Sequence, residues 1–284
     1  MIDTVRPARG AALPGHGRVY VGYAVMALLL LMALAPQLFV RQNPDATAVA
    51  SMLEPPSWHH LFGTDNIGRD VYARVIYGTR VTLALSVGSV LIATIVGSSM
   101  GILAAFYGSL LDTLAGRVAD VIFSFPTMFL GVLITGIMGP GARDALIALS
   151  LVFVPVFFRI ARAQVLVERE KPYVEAASAI GRGPGAILFR HVLPNVISPI
   201  LLQATVSIPV SLQLGAALDY LGLGVQPPVP SWGGVLNDGR DYLLSAPWIS
   251  VFPGLFILLA TIAFLWSAEG LRRRLDPRAQ KEWS

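Results

Sequence analysis

The sequence predicts an all-α membrane protein with six transmembrane helices and both termini in the cytoplasm. Of its 284 residues 55% are apolar and only 13% are charged, whereas soluble proteins carry about 25% charged residues. Five segments of 22 or more residues contain no Asp, Glu, Lys or Arg, and a helix of about 20 apolar residues crosses a bilayer. These segments are residues 19–40, 81–111, 121–142, 192–218 and 242–268. This composition excludes a disordered chain and a soluble nucleic-acid-binding protein.

One further span, the fourth in chain order, is predicted over residues 145–167, of which only 145–158 are free of charge. Arg159 and Arg162 can be accommodated if their long side chains reach an interface. Pro155 would kink this helix, and a short re-entrant segment is the alternative. The first apolar segment is longer than the 7–15 residues of a signal-peptide core, so we expect it to remain as the first transmembrane helix.

The distribution of basic residues sets the predicted orientation. With six spans, 15 of the 21 lysines and arginines fall on the side of the two termini, while the acidic residues divide almost evenly. The positive-inside rule assigns that side to the cytoplasm. The predicted organisation is a cytoplasmic arm at 1–18, the first transmembrane helix at 19–40, an external loop at 41–80, a five-helix core at 81–270 that contains a cytoplasmic loop at 168–194, and a basic cytoplasmic tail at 271–284.

Few residues of this chain suggest catalysis or metal binding. It contains no cysteine, which excludes disulfides and thiolate metal sites. Its two lysines lie outside any glycine-rich phosphate-binding loop, so a nucleotide would have to bind to another chain. The segment Gly97-Ser-Ser99-Met-Gly101 matches the pattern around a hydrolase nucleophile, but the same spacing of glycines is typical of close helix packing in membranes. The pair His59-His60 lacks a third nearby ligand, and we predict neither a catalytic nor a metal site.

The cytoplasmic loop is predicted to fold into two short helices separated by a bend. Pro172 is suited to a first helical turn, and Gly181 begins a Gly-Arg-Gly-Pro-Gly run that ends the first helix. A second helix over 186–191 leads to Pro194 at the start of the fifth span. The first helix has an apolar face that comprises Tyr173, Ala176, Ala177 and Ile180. Because no second soluble domain covers this face, we expect it to dock on a partner, and a helix lying on lipid headgroups is the alternative.

The same loop resembles the EAA loop in the permease subunits of bacterial ABC importers. Direct matches are Glu175, Ala176, Ala177, Gly181, Leu193 and Pro194. The presence of His191 before an apolar-Leu-Pro sequence is typical of the oligopeptide, dipeptide and nickel branch. Segments 61–74, 220–233 and 270–277 are similar to further signatures of that branch. The resemblance covers about residues 57–278 and fits the C-type permease of the pair best.

The resemblance implies a type I ABC importer permease in the bacterial inner membrane, and not an enzyme. Such a permease pairs with a second, homologous permease and with two ATP-binding subunits, which hold ATP and Mg. An extracytoplasmic binding protein delivers the substrate, lipid surrounds the spans, and nucleic acid is not a partner. The implied substrates are di- and oligopeptides, with nickel, opines or another small solute as the alternative. The residues implied to couple to the ATP-binding subunit are Tyr173, Glu175, Ala176, Ala177, Ile180, Gly181, Arg182, His191, Leu193 and Pro194.

Polar and helix-perturbing residues on the third and fifth spans are candidates for the translocation pathway, although ordinary helix packing explains them equally well. The candidates are Ser124, Pro126, Thr127, Gln203, Ser207, Gln213 and Asp219. Asp219 departs from the family pattern, and we expect it to affect the outer mouth or the choice of substrate. Residues 41–80 and 227–232 are the expected contacts of the binding protein. An intramembrane serine hydrolase that uses Ser99, and a scaffold or receptor without transport, are the alternatives from other classes of function.

Overall fold

The computed structural model describes residues 15–108 and 110–275, which fold mainly into helices. These are α1 (Gly15–Leu34), α2 (Val71–Tyr107), α3 (Leu110–Phe123), α4 (Thr127–Met138), α5 (Ala142–Arg169), α6 (Pro172–Ala179), α7 (Pro184–Ile187), α8 (Leu193–Tyr220), α9 (Trp232–Asp238) and α10 (Trp248–Leu275). Within the described residues, β-type pairing is limited to one isolated bridge between Thr64 and Asp70. The predicted all-α class is therefore confirmed.

Five helical segments are long and apolar enough to cross a membrane, and α3 and α4 together supply a sixth span if this bent pair is counted as one. The five are α1, α2, α5, α10 and the continuous helical segment that contains α7 and α8. Helices α1 and α10 pack together, with Gly22 against Trp266 and Gly270 against Tyr23. The start of α1 and the end of α10 therefore lie on the same side, as a chain with six spans requires.

The third span is broken, contrary to the uninterrupted span predicted over residues 121–142. Helix α3 ends at Phe123, α4 begins at Thr127, and the two helices meet at an angle of 94°. Pro126 lies between them in an extended conformation, with φ −56° and ψ 132°. Its ring disfavours helical backbone at Phe125, and it has no N–H for a helical hydrogen bond. The polar backbone of this break consequently lies inside the span.

Helix α2 begins ten residues earlier than the predicted boundary at residue 81. The carboxylate of Asp70 caps its first turn, because Oδ1 accepts a hydrogen bond of 2.7 Å from the backbone N–H of Ala73. The predicted external loop 41–80 therefore loses its last ten residues to the helix. The charged residues Arg74 and Arg80, which concealed the start of this helix in the sequence, lie within it.

Two segments that contain prolines are continuous helices in the structure. Helix α5 runs without interruption for 28 residues through Pro155, so the re-entrant alternative for this segment is wrong. The separate helix predicted over 186–191 is part of a continuous helical segment, because α7 passes through a π-helical turn at Leu188–Val192 directly into α8. The wider π turn precedes Pro194 and accommodates a residue that cannot donate a helical hydrogen bond.

Close packing of α2 on α5 depends on Gly97 and Gly101. A Cβ atom at Gly97 would overlap the carbonyl oxygen of Val154, and one at Gly101 would overlap that of Phe158. These two glycines allow the helix backbones to approach, as small residues do in membrane proteins. Ser99 lies between them on the exposed side of a continuous helix, without the strand–turn–helix context of a hydrolase nucleophile. The helix-packing interpretation is confirmed, and the serine-hydrolase alternative is wrong.

Replacement of Gly97 by Leu is expected to destabilise the protein by about 1–3 kcal/mol or more, because the added side chain forces α2 away from α5. Denaturant unfolding of the purified protein in detergent measures this change in free energy. Gly136→Leu on α4 is the matched control, since no atom lies within 4 Å of the position that its Cβ would occupy. Equal losses of stability in the two variants would contradict the packing role of Gly97.

Candidate functional site

Helix α6 of the cytoplasmic loop is fixed to the core along one side. Val174 and Ala177 are buried against residues of α7, the π turn and α5, among them Ile187 and Leu188. The opposite side carries Tyr173, Ala176 and Ile180, which are all exposed, with Ile180 73% accessible. The predicted apolar face is therefore narrower than expected. Ala177 was wrongly placed on it, because this residue follows Val174 by three positions and shares its inward direction.

The end of α6 is set by Gly181. Its φ of +80° is a conformation that side chains disfavour, and the backbone N–H of Arg182 closes the turn on the carbonyl of Ala177 at 3.2 Å. Glu175 is exposed and lies in the first turn of α6, where a negative charge is favourable near the helix N-terminus. The predicted bend is thus confirmed, and Glu175 remains free to contact a partner.

The hydroxyl group of Tyr173 lies at the junction of three helices. It donates to the buried carboxylate of Glu168 at the end of α5, and it accepts a 3.0 Å hydrogen bond from the amide of Asn195 on α8. Lys171 Nζ adds a 2.6 Å contact to Glu168. Burial, reinforced by Glu168, raises the pKa of Tyr173 to about 12, so the hydroxyl keeps its proton at neutral pH. We call Tyr173, Glu168 and Asn195 the α6 joint.

The other predicted residues of the loop lie around this joint. The guanidinium of Arg182 is 3.2 Å from Nε2 of His191, and both groups are solvent-accessible. Leu193 is half-buried and Pro194 is exposed in the first turn of α8. Sequence reasoning missed Glu168 and Asn195. Their positions in the sequence could have identified them, since Glu168 is the first residue of the loop and Asn195 directly follows Leu193-Pro194.

A cavity of about 240 Å³ lies beside the break between α3 and α4, where α5 and α8 complete its wall. Three of the predicted pathway residues line it: Thr127, Gln203 and Ser207. The amide of Gln203 donates to the hydroxyl of Ser207 at 3.2 Å. The other residues that line the cavity are apolar. The cavity therefore brings together polar groups that lie about 80 positions apart in the sequence.

The remaining pathway candidates do not line this cavity. The hydroxyl of Ser124 is bonded to the carbonyl of Val121 at 2.7 Å, Pro126 forms the break, and Gln213 is exposed elsewhere on α8. Asp219 is buried and accepts hydrogen bonds from the backbone of Val225, at 2.7 Å, and from Ser231.

Asp219 was predicted as a pathway candidate that affects the outer mouth, and the structure places its carboxylate in the turn that follows α8. A Cβ atom at Gly224 would overlap its carboxylate, so the turn after α8 is built around this side chain. Its function is to hold that turn, and a buried carboxylate with two donors satisfies its hydrogen-bonding needs without a substrate.

Two Asp–Arg pairs attach α3 to the cytoplasmic half of α5. Arg162 contacts both oxygens of Asp112 at 2.6 and 2.7 Å, and Arg159 contacts Asp120 at 2.7 Å. The pairs border a cavity of about 380 Å³ that Arg117 also lines. This explains how the span formed by α5 tolerates two arginines. Each of them binds a carboxylate of the neighbouring helix α3.

On the external side, the two long loops form one structure, which we call the external cap (residues 41–74 and 221–247). Arg69 contacts Asp65 at 2.5 Å and Asp238 at 2.7 Å, and buried Arg74 lies 3.4 Å from the same Asp238 oxygen. Trp232 is fully buried and donates from Nε1 to the carbonyl of Val75 at 2.9 Å. The two segments predicted to contact the binding protein, 41–80 and 227–232, thus lie next to each other.

Three comparisons with known proteins agree with this geometry. Residues 94–281 match the family model described as "binding-protein-dependent transport system inner membrane component". The chain is 39% identical to the dipeptide transport system permease protein DppC of Alkalihalophilus pseudofirmus, over 91% of this chain and 85% of that protein. It is 36% identical to the glutathione transport system permease protein GsiD of Pectobacterium atrosepticum, over 93% of this chain and 87% of that protein.

The fold is similar to that of a solved importer. A chain of the inward-facing MetNI methionine ABC transporter superposes with a TM-score of 0.59, covering 72% of this chain and 96% of that one at 16% identity. This likeness confirms the type I permease fold, and the family match and the relatives show the subunit class. The chain therefore belongs to the binding-protein-dependent transport system inner membrane components, as a multi-pass, non-enzymatic permease subunit of an ABC importer in the bacterial inner membrane.

Proposed function

We propose that this permease forms half of a translocation pathway for di- and oligopeptides. The other half is a second, homologous permease, and an extracytoplasmic binding protein delivers the substrate to the external cap. Two separate ATP-binding subunits hold ATP and Mg and drive the cycle. The observation that carries the proposal is the exposed apolar face of α6, on a helix whose other side is fixed to the core.

Coupling requires that a motion of the ATP-binding subunits reaches the spans. A short helix fixed on one side and exposed on the other can do this as a rigid element between two states. Tyr173, Ala176 and Ile180 supply the apolar contact, and Glu175 lies beside them for a polar one. Gly181 supplies the bend. Ala177 and Leu193 act from the permease side, since they pack against the core, and His191 lies in the π turn directly before α8.

The assignment of peptides as substrates rests on the relatives and on the cavity between α4 and α8. The relatives are a dipeptide permease and a glutathione permease, and both substrates contain peptide bonds. The cavity lining combines apolar side chains with the neutral polar groups of Thr127, Gln203 and Ser207. Neutral donors and acceptors suit a peptide backbone, whereas a nickel ion would favour imidazole ligands.

Reconstitution tests the proposal directly. The permease is co-expressed with the homologous permease, the two ATP-binding subunits and the binding protein of its own transport system, and the complex is placed in liposomes. We expect ATP-dependent uptake of a labelled dipeptide that requires the binding protein. Uptake of nickel or an opine without peptide uptake would overturn the substrate assignment. A permease pair that does not bind the ATP-binding subunits would overturn the coupling role of α6.

A further inference from the structure

The structure assigns to the Tyr173 hydroxyl group a positioning role: it links the motion of α6 to α5 and α8, two of the helices that wall the cavity beside the break between α3 and α4. This inference rests on the proposed function and adds to it. The ring of Tyr173 is partly exposed, but its hydroxyl points into the protein. We infer that removal of this hydroxyl group lowers the number of peptides imported per ATP hydrolysed.

The α6 joint is the stiff end of the loop. Only Glu170 and Lys171 separate α5 from α6, and Pro172 restricts the backbone at the start of α6. The hydroxyl of Tyr173 then bridges Glu168 and Asn195, while the Asn195 amide also donates to the carbonyl of His191 at 2.8 Å. Glu168 is buried, so its hydrogen bonds are worth more than those of an exposed carboxylate.

The opposite end of α6 is compliant. No atom lies within 4 Å of the positions that a Cβ would occupy at Gly181 or Gly183, so this link has room to move and a flexible backbone. Its contact between Arg182 and His191 is solvent-accessible and contributes little. A displacement of α6 is therefore absorbed at the glycine link and transmitted at Tyr173.

Helices α5 and α8 meet at the α6 joint, and both also border the cavity. Asn195 precedes Ser207 by 12 residues on α8, about 18 Å along a helix. Glu168 follows Val156, another lining residue, by 12 residues on α5. Helices α5 and α8 therefore each connect the α6 joint to the cavity. The neutral state of the Tyr173 hydroxyl keeps its proton available for Glu168 at neutral pH.

The test compares Tyr173→Phe with wild type in the reconstituted transporter, and it measures peptide uptake and ATP hydrolysis in the same sample. Phe keeps the ring and the exposed face but removes the hydroxyl. We expect the complex to assemble and hydrolyse ATP, with about tenfold fewer peptides imported per ATP, the factor that corresponds to one lost hydrogen bond of this kind. Tyr107→Phe, an exposed tyrosine at the end of α2, is the matched control and keeps the wild-type ratio.

A second variant separates coupling from folding. Glu168→Gln keeps an acceptor for Tyr173 and is expected to retain a higher ratio of uptake to hydrolysis than Glu168→Ala. An unchanged ratio in Tyr173→Phe would overturn the inference. Loss of the assembled complex in Tyr173→Phe would also overturn it, because the hydroxyl would then serve only to fold the loop. If wild type itself fails to bind the ATP-binding subunits, the proposed function fails instead.

Discussion

Replacement of Ile180 by Asp is expected to abolish substrate uptake without reducing the amount of permease in the membrane. Ile180 is 73% accessible in the isolated chain, so the substitution should hardly change the free energy of unfolding of the permease. In the proposed complex, however, the carboxylate would be buried without a partner, which costs several kcal/mol. Since each 1.4 kcal/mol is a factor of ten, peptide uptake should fall by about 100-fold or more. Uptake assays with immunoblots of membrane fractions measure both quantities.

The control for Ile180→Asp is Leu38→Asp, which introduces the same charge at a residue that is 71% accessible, follows α1 and lies outside the external cap. We expect normal uptake from this variant. Normal uptake from Ile180→Asp as well would show that the exposed face of α6 touches no ATP-binding subunit.

Replacement of Asp238 by Ala is expected to give the largest loss of stability on the external side. Asp238 is the shared partner of Arg69 and Arg74, whose side chains are both nearly inaccessible to solvent. Without it, two buried guanidinium groups lose a counter-charge, and removal of one partner from such a network costs about 3 kcal/mol. Asp65 and Asp45 remain near the two arginines and limit the loss. Denaturant unfolding of the purified permease measures the change.

The matched variant is Asp241→Ala, three residues further along the chain, where the side chain is largely exposed and pairs only with Arg240. An exposed pair of this kind is worth about 0–1 kcal/mol, so stability should hardly change. If Asp238→Ala behaves like Asp241→Ala, the two external loops are not joined through this carboxylate.

The spans were predictable because hydrocarbon imposes a simple requirement on the sequence. Four of the five long segments without charge contain a continuous helix that is long enough to cross a bilayer, whereas the segment 121–142 is broken at Pro126. The break at Pro126 was not predictable in this way, since Pro155 and Pro209 lie within unbroken helices. Whether a proline interrupts a helix depends on the neighbours that satisfy the freed carbonyl, and those belong to tertiary structure.

In the candidate site, too, features encoded by neighbouring residues were predictable, and contacts between distant segments were not. The helix and the bend of the cytoplasmic loop were predictable, because both are encoded within 20 residues. The assignment of Ala177 to the exposed face failed because α6 has only eight residues, and its burial depends on α7 and α5. The hydrogen-bond partners of Asp219 were not predictable for a similar reason, since they lie in the turn that follows α8. The pair of Arg69 and Asp238 is separated by 169 residues, and no local pattern connects them.

Site-specific photocrosslinking from α6 tests the central claim most directly. The chain contains no cysteine, so single-cysteine variants carry a benzophenone maleimide at one known position. The labelled permease is then assembled with its ATP-binding subunits and irradiated. Ile180→Cys is expected to give a covalent adduct with an ATP-binding subunit, whereas Ala177→Cys, on the buried side of the same helix, is expected to give none. Adducts of Ile180→Cys with lipid alone would show that α6 lies on the membrane surface and would contradict the account.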